Sequence, residues 1–183
     1  MSDDGGAPLG SGLHYEGLVP LAWEPAPAGL DPLSLQGDNA EVLRFITAID
    51  EFAKPAHGED ADRQGELARI EGKLDILLEL VAQALREQAQ LPEAVPVRLS
   101  TAAIEWRAVQ APSVNSPILL SLYLHTSYPR PIRLLANVQD VEPVGQSHRI
   151  DAHFQDMDET LSDWLTKLIF RYHRRSIAQH RRG

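Results

Sequence analysis

Apolar residues follow a helical spacing in the first half of the chain and an alternating spacing in the second half. The first helical run has apolar side chains at Val42, Phe45, Ile46, Ile49 and Phe52. Asp38 and Glu41 precede it in a D-x-x-E pattern that is typical of a helix start, so we predict a short amphipathic helix from Asp38 to just before Pro55. Residues 13–37 interleave prolines with Leu, Tyr and Trp, and we expect them to pack as an extended segment without regular structure.

A second helix is predicted over residues 66–90, where apolar side chains keep a heptad spacing. The heptad positions are Leu67, Ile70, Leu74, Leu77, Val81 and Ala84. Because this spacing turns one face toward a partner helix, and a helix of about 20 residues is marginal alone in water, we predict oligomerisation through it. Ile76 and Leu80 lie off the heptad line and could pack on the 42–52 helix of the same chain instead. In parallel coiled coils, Leu at the first heptad position with Ile at the other favours more than two helices. The spacing does not decide between a dimer and a tetramer, or between parallel and antiparallel helices.

Beyond Pro92 the apolar positions alternate with polar ones, and Pro, Gly, Ser and Asn interrupt the runs. The alternating runs cover residues 104–108, 118–124, 132–138 and 149–154. We predict an antiparallel meander of about five strands, short enough to close into a small barrel. A last helix, from Asp156 with Glu159 in the capping-box position, is expected to cover the open side of the sheet.

These elements predict an α+β fold, a small antiparallel β-barrel with a C-terminal helix, preceded by a helical part that contains the heptad helix. Residues 1–12, rich in Gly, Ser and Asp, are expected to be disordered. Residues 13–90 would form the extended segment and the helical oligomerisation region, and residues 91–183 the barrel with its C-terminal helix.

The composition excludes several kinds of site and compartment. None of the 183 residues is Cys, which excludes disulfides and thiolate metal sites and fits a reducing compartment. No apolar run approaches the roughly 18 to 20 residues of a membrane span, and residues 1–12 lack the basic and apolar regions of a signal peptide. We therefore expect a cytoplasmic protein that does not insert into a membrane.

Charge is distributed unevenly along the chain. The stretch from Lys167 to the end has six Lys and Arg residues and no acid, so the net charge of −9 leaves −15 for the rest of the chain. A basic helix end complements the helix dipole, and on an acidic protein this explanation is preferred. Binding to nucleic acid or to an anionic lipid surface is the alternative.

Histidines and acids show no arrangement that indicates a metal site or a catalytic site. The seven histidines are His14, His57, His125, His148, His153, His173 and His180. No two of them stand at H-x-x-x-H or H-x-H spacing on one predicted element. A nucleophile elbow, a phosphate-binding glycine loop and a paired-carboxylate pattern are also missing. We predict no metal, no cofactor, no catalytic residue and no enzymatic activity; Tyr128 and Arg130, between prolines in a barrel loop, are candidate partner contacts.

The order of these elements resembles the PilZ domain, the bacterial receptor module for cyclic di-GMP. The resemblance lies in VRLSTAAIEW, which opens the strands, and in DETLSDWLTKLIFRYHRRSIAQ, which closes them. The heptad helix and the earlier LHYEGLVPLAWEP look like the atypical, tetramer-forming branch of the family from gammaproteobacteria. The resemblance implies a homotetramer, and an association with type IV pilus motility and virulence signalling through an unidentified protein partner.

The resemblance also places a ligand site, and here the chain departs from the family. The family's [D/N]-x-S-x-x-G motif falls on residues 98–103, where Ser100 matches but Arg98 and Ala103 replace the acid or amide and the glycine. The preceding R-x-x-x-R motif keeps Arg86 but has Gln90 in place of the second arginine. The resemblance therefore implies weak or absent cyclic di-GMP binding, with Arg98 and Ser100 as the remaining candidates. A working cyclic di-GMP receptor that uses Arg98, Ser100 and Arg86 is the alternative.

Overall fold

The computed structural model contains a closed six-stranded β-barrel with two helices packed on it. It describes residues 14–52, 91–125 and 128–180, together with residues 70, 72–74, 76, 77, 80, 81, 83 and 84. The strands are β1 (Tyr15–Pro25), β2 (Ala94–Leu99), β3 (Ala103–Ala108), β4 (Pro117–Leu122), β5 (Ile132–Val144) and β6 (Ser147–Phe154). The helices are α1 (Pro32–Phe52) and α2 (Glu159–His180). The α+β fold with a small antiparallel barrel is confirmed; the predicted disorder of residues 1–12 lies outside the described residues.

The barrel closes through β1, which comes from the segment that was expected to be irregular. All neighbours are antiparallel, in the order β1-β2-β3-β6-β5-β4. Residues 15–20 pair with β2, whereas residues 21–25 pair with β4. Pro20 stands where the strand changes partner, a position at which the missing N–H of proline removes little pairing. The expectation of irregular packing over 13–37 is therefore wrong for β1, and the five strands predicted after Pro92 are joined by a sixth.

Alternation along the strands builds one core. Inward-facing side chains on all six strands are buried, including Trp106, and outward-facing ones are mostly polar. The inward set is Val19, Leu21, Val97, Leu99, Ile104, Trp106, Ile118, Leu120, Leu122, Ile132, Leu134, Ala136, Val138, Ile150 and Ala152. Each such aliphatic side chain removed from water contributes roughly 1.5 to 3 kcal/mol. Apolar residues of α1 and α2, such as Ile46 and Leu165, join the same cluster.

Helix α1 begins six residues earlier than predicted. Pro32 occupies its first turn, where the fixed φ of proline suits a helix and its missing N–H costs no hydrogen bond. The backbone oxygen of Asp31 accepts hydrogen bonds from the N–H and the hydroxyl of Ser34. Leu35 is buried in the added part of the helix. The D-x-x-E pattern at Asp38 therefore lies inside the helix and does not start it.

Helix α2 begins at Glu159, three residues after the predicted start. Oδ1 of Asp158 accepts a hydrogen bond of 2.9 Å from the N–H of Leu161, which makes Asp158 the N-cap. Asp156 has a φ of 49° and belongs to the turn before the helix. The predicted apolar face is confirmed at Leu161, Leu165 and Ile169, which are buried against the barrel.

The described residues between 70 and 84, here called the heptad segment, are helical. Their large apolar side chains are about half exposed in the single chain: Ile70, Leu74, Ile76, Leu77, Leu80 and Val81. Ala84 is exposed as well, and Leu67 lies outside the described residues. Contiguous exposed apolar side chains of this kind are typical of interaction sites.

Candidate functional site

Ser100, the residue that matches the ligand motif, closes the turn between β2 and β3. Its hydroxyl donates to the backbone oxygen of Ala103 at 3.1 Å. The same oxygen atom, Oγ, accepts from the N–H of Ala102 at 3.2 Å and from the N–H of Ala103 at 2.9 Å. A serine hydroxyl has one donor and two acceptor positions, so Ser100 has no hydrogen-bonding capacity left for a ligand.

Arg98, the second candidate, is held by residues at the start of β1. It stands opposite Glu16 across the β1–β2 pair, with its Nε 3.0 Å from Oε1 of Glu16. Nε and Oε1 are close enough for an ion pair, but the angle does not make a hydrogen bond. Nη2 of Arg98 lies 3.4 Å from Nε2 of His14, which in turn is 3.1 Å from Oε1 of Glu16. The guanidinium is therefore engaged by an acid of its own chain, and only 31% of its side chain is exposed.

Structure and sequence agree that Arg98 and Ser100 lie on one face of the barrel, because both alternate with the inward-facing Val97 and Leu99. Ala103, which replaces the glycine of the family motif, is 2% exposed. Its methyl group fills the place at which a glycine lets a ligand approach the backbone. The three motif positions are thus close together, but each is occupied by an internal contact.

The same outer face carries a row of acids that the sequence reasoning missed. Reading across the strands, Arg98 stands opposite Glu105, Glu105 opposite Asp151, and Asp151 opposite Asp140. Glu16 is the neighbour of Arg98 on the other side, so an acid flanks this arginine on each adjacent strand. Arg107 and Arg149 stand opposite each other farther along the same face, which therefore carries charges of both signs. A cyclic dinucleotide brings two phosphate charges, and the acids beside Arg98 weaken its attraction for them. The alternating acidic positions were visible in the sequence, but the register that aligns them was not.

Asp151 is the most perturbed group of this row. Burial raises the pKa of Asp151, the nearby His153 lowers it, and Glu105 and Asp140 raise it further. Oδ1 of Asp151 is buried without a hydrogen bond, 3.7 Å from Nε2 of His153. Because the folded chain holds this proton to a higher pH than the unfolded chain, the contribution of Asp151 to stability is lost as the pH rises from the unfolded pKa through the folded pKa.

Asp151→Asn should therefore stabilise the protein at pH 7 and have less effect near pH 4. The amide keeps the shape of the side chain but has no charge to desolvate, and a gain of about 2 °C in the midpoint of thermal unfolding at pH 7 is expected. Thermal unfolding followed by circular dichroism at both pH values measures the difference. Asp140→Asn, which removes only an exposed charge of the same row, is the control and should change the midpoint less. An equal effect of Asp151→Asn at the two pH values would contradict the burial explanation.

The loop with Tyr128 and Arg130 is docked on α1. The rings of Tyr128 and Phe45 are stacked with centroids 5.2 Å apart. Nη1 of Arg130 is 3.3 Å from Oε2 of Glu41. Both predicted contact residues thus contact the chain's own helix, and Arg130 and Phe45 remain about half exposed.

Six of the seven histidines lie in the described ranges and are dispersed along them, whereas His57 lies outside the described residues. Nδ1 of His148 is 3.2 Å from the backbone oxygen of Val109. His153 and Asp151 contact each other on the face of β6 opposite to that of His148. Within the described ranges, no three His, Asp or Glu side chains are placed to hold a metal ion.

Comparison with known proteins agrees with this geometry. The sequence pattern of a known family, described as "atypical PilZ domain, cyclic di-GMP receptor", matches residues 43–182. Among solved structures, the chain is similar to a pathogenic protein from Xanthomonas campestris, with a TM-score of 0.73 and 22% identity over 92% of each chain. That protein is described as a new tetrameric PilZ domain, self-assembled via an unusual helical bundle. No curated protein matches the chain.

In the described part of the chain, every helix is too short or too polar to span a lipid bilayer. The family match covers α2, the whole of β2–β6, and part of α1. Five of the six barrel strands and the degenerate motif between β2 and β3 lie within the matched residues, and β1 precedes them. The chain therefore belongs to the atypical PilZ domain family.

Proposed function

We propose that the protein is a non-enzymatic signalling adaptor of the PilZ type, which assembles with copies of itself and binds cyclic di-GMP weakly or not at all. The observation that carries this proposal is the saturated hydroxyl of Ser100, whose one donor and two acceptor positions all serve the β2–β3 turn. Arg98 is engaged by Glu16 in the same region. A ligand would have to break these internal contacts before it gained any of its own.

Self-assembly is proposed through the heptad segment. Leu74 and Leu77 are 48% and 57% exposed in the single chain, and a second helix would remove this apolar surface from water. The tetrameric assembly described for the Xanthomonas campestris protein suggests four copies. An assembly of this kind would strengthen weak contacts of each copy with a partner through avidity. We propose that this partner belongs to cytoplasmic signalling linked to type IV pilus motility and virulence.

The second candidate function is a working cyclic di-GMP receptor, which the description of the family favours. It requires Arg98 to leave Glu16 and turn toward a phosphate, and Ser100 to release at least one backbone N–H. The two functions differ in a single measurable property, the affinity of the folded oligomer for cyclic di-GMP.

Isothermal titration calorimetry decides between them. With the protein at about 50 µM and cyclic di-GMP added to about 500 µM, the adaptor proposal predicts either the heat of dilution alone or a weak heat with a Kd above about 10 µM. A saturable heat with a Kd below about 10 µM would contradict it and support the receptor function.

A matched variant shows whether the titration can detect binding in this fold. The triple substitution Arg98→Asn, Ala103→Gly and Gln90→Arg restores the family's motif residues in this chain. It removes the arginine that Glu16 holds and reopens the backbone at position 103. We expect this variant to bind cyclic di-GMP at least tenfold more tightly than the unmodified chain, because a paired arginine fork can then bind the phosphates.

A further inference from the structure

An open groove runs between α1 and α2, and the degenerate ligand site does not include it. The two helices contact each other, α1 also contacts β5, and α2 contacts β1. The groove has a volume of about 630 Å³ and is lined by positions 40, 43, 44 and 47 of α1 and positions 160, 163, 164 and 167 of α2. Each set follows the i, i+3, i+4, i+7 spacing of one helical face, so two matched helical stripes form the walls.

Three charged side chains line the groove. Arg44 lies on one wall, and Asp163 and Lys167 lie on the other. In the described part of the chain, no ion pair and no side-chain hydrogen bond engages any of the three. Two cations and one acid leave a positive excess in a chain whose net charge is −9. This excess favours an occupant with negative charge.

The floor of the groove is apolar. Leu43 is buried at its base, and Trp164 is half-buried and packs against the core with part of its indole in the groove. Aromatic side chains of this kind, set in a cleft and ringed by polar residues, are frequent anchors of protein interfaces. A helix with an apolar stripe could lie on Leu43 and Trp164 while its flanks meet the charged walls.

The shape of the groove favours a helix over a small ligand. Small-molecule sites bury most of their ligand, whereas six of the eight lining residues here are exposed. Eight residues of helix are about 12 Å long, so each wall matches about two turns of an α-helix. A third helix laid along two helical stripes is a common mode of peptide recognition.

We propose that the groove between α1 and α2 binds an acidic amphipathic α-helix of a partner protein, with Trp164 beneath its apolar stripe and Arg44 and Lys167 against its carboxylates. The proposal rests on the adaptor function proposed above and supplies the partner surface which that function requires. The groove is a different surface from the heptad segment, because the exposed apolar residues of that segment are not among the residues that line the groove.

The test uses two synthetic peptides and the intact oligomer. One fluorescein-labelled 18-residue peptide carries leucines at helical i, i+3, i+4 and i+7 positions and glutamates on both flanks; the second has every glutamate replaced by lysine. Fluorescence anisotropy is measured at low and at physiological salt. We expect the acidic peptide to bind with a Kd below about 200 µM, at least tenfold more tightly than the basic peptide, and less tightly as salt rises.

Substitutions in the groove identify the site. Arg44→Glu and Lys167→Glu should each weaken the acidic peptide roughly fivefold to tenfold, because a favourable pair becomes a repulsive one. Trp164→Ala should weaken both peptides. Arg107→Glu, an exposed charge reversal on the outer face of β3, is the matched control and should leave binding unchanged.

Several results would overturn the inference. Equal binding of the two peptides, or acidic-peptide binding that Arg44→Glu and Lys167→Glu leave unchanged, would exclude the groove as an acidic-helix site. If single-stranded DNA displaces the labelled acidic peptide at a lower concentration than the unlabelled acidic peptide does, the groove would be assigned to nucleic acid. A lower particle mass of Arg44→Glu or Lys167→Glu in light scattering would assign it to self-assembly. Failure of the adaptor function itself would appear separately, as cyclic di-GMP binding in the calorimetry above.

Discussion

Replacing both Leu74 and Leu77 by Asp is expected to reduce the particle mass in solution to that of one chain, 20.3 kDa. Both side chains lie on the heptad line and are about half exposed in the single chain. If sister helices cover them, two carboxylates would enter an apolar interface in each copy, and burying an unpaired charge costs several kcal/mol. Light scattering coupled to size-exclusion chromatography measures the mass.

Gly72→Asp is the matched control on the same helix. Position 72 lies away from the heptad line, and a Cβ added there would meet no atom within 4 Å. This substitution adds a charge without placing it in the expected interface, so the mass should stay that of the unmodified oligomer. An unchanged mass of the double Asp variant would show that the heptad segment does not hold copies together.

Asn39→Ala is expected to lower the free energy of unfolding by about 3 kcal/mol, because two backbone groups lose their partners in a buried place. Asn39 is 3% exposed on α1. Its Nδ2 donates to the backbone oxygen of Arg133 at 2.8 Å, and its Oδ1 accepts from the N–H of Arg133 at 2.8 Å. Arg133 lies in β5 before the part that pairs with β6, which begins at Ala136. The side-chain amide of Asn39 therefore makes the two hydrogen bonds to Arg133 that the backbone of a neighbouring strand would otherwise make.

Urea unfolding at a fixed protein concentration tests this role, with the midpoint expected to fall and the slope to stay constant. Asn39→Asp keeps the acceptor but cannot donate while ionised, so it should destabilise the protein more at pH 7 than at pH 4. Gln36→Ala, in the same crevice and without a comparable pair of bonds, should change the free energy by less than about 0.5 kcal/mol. A similarly small change for Asn39→Ala would show that the paired bonds are dispensable.

The predictable parts of the fold are those that depend on local periodicity. The alternation over 118–122 and 132–138 became β4 and β5 because inward positions of a small barrel must be apolar at every second residue. Strand β1 was not predictable in this way, since Pro20 and Pro25 argue against a strand in isolation. Only the closure of the barrel, which gives β1 two partners far away in sequence, makes those prolines acceptable.

The residues of the ligand motif could be named from the sequence, but their contacts could not. In the structure Arg98 lies in β2 and Ser100 directly follows that strand. Their internal partners could not be read from the sequence, because Glu16 reaches Arg98 through a strand pairing across more than 80 residues. The saturation of Ser100 depends on the turn geometry at Ala102 and Ala103, which propensity alone does not define.

The double pairing of β1 has a consequence for biosynthesis. Strand β1 leaves the ribosome first, but the residues that pair with its second half lie between 118 and 122 and are made about a hundred residues later. The helical residues between β1 and β2 emerge in the interval, before any barrel can close. If the heptad segment assembles copies as proposed, neighbouring nascent chains on one messenger RNA would associate through it while β1 is not yet paired with β4. The order of these two events would then govern the yield of assembled protein.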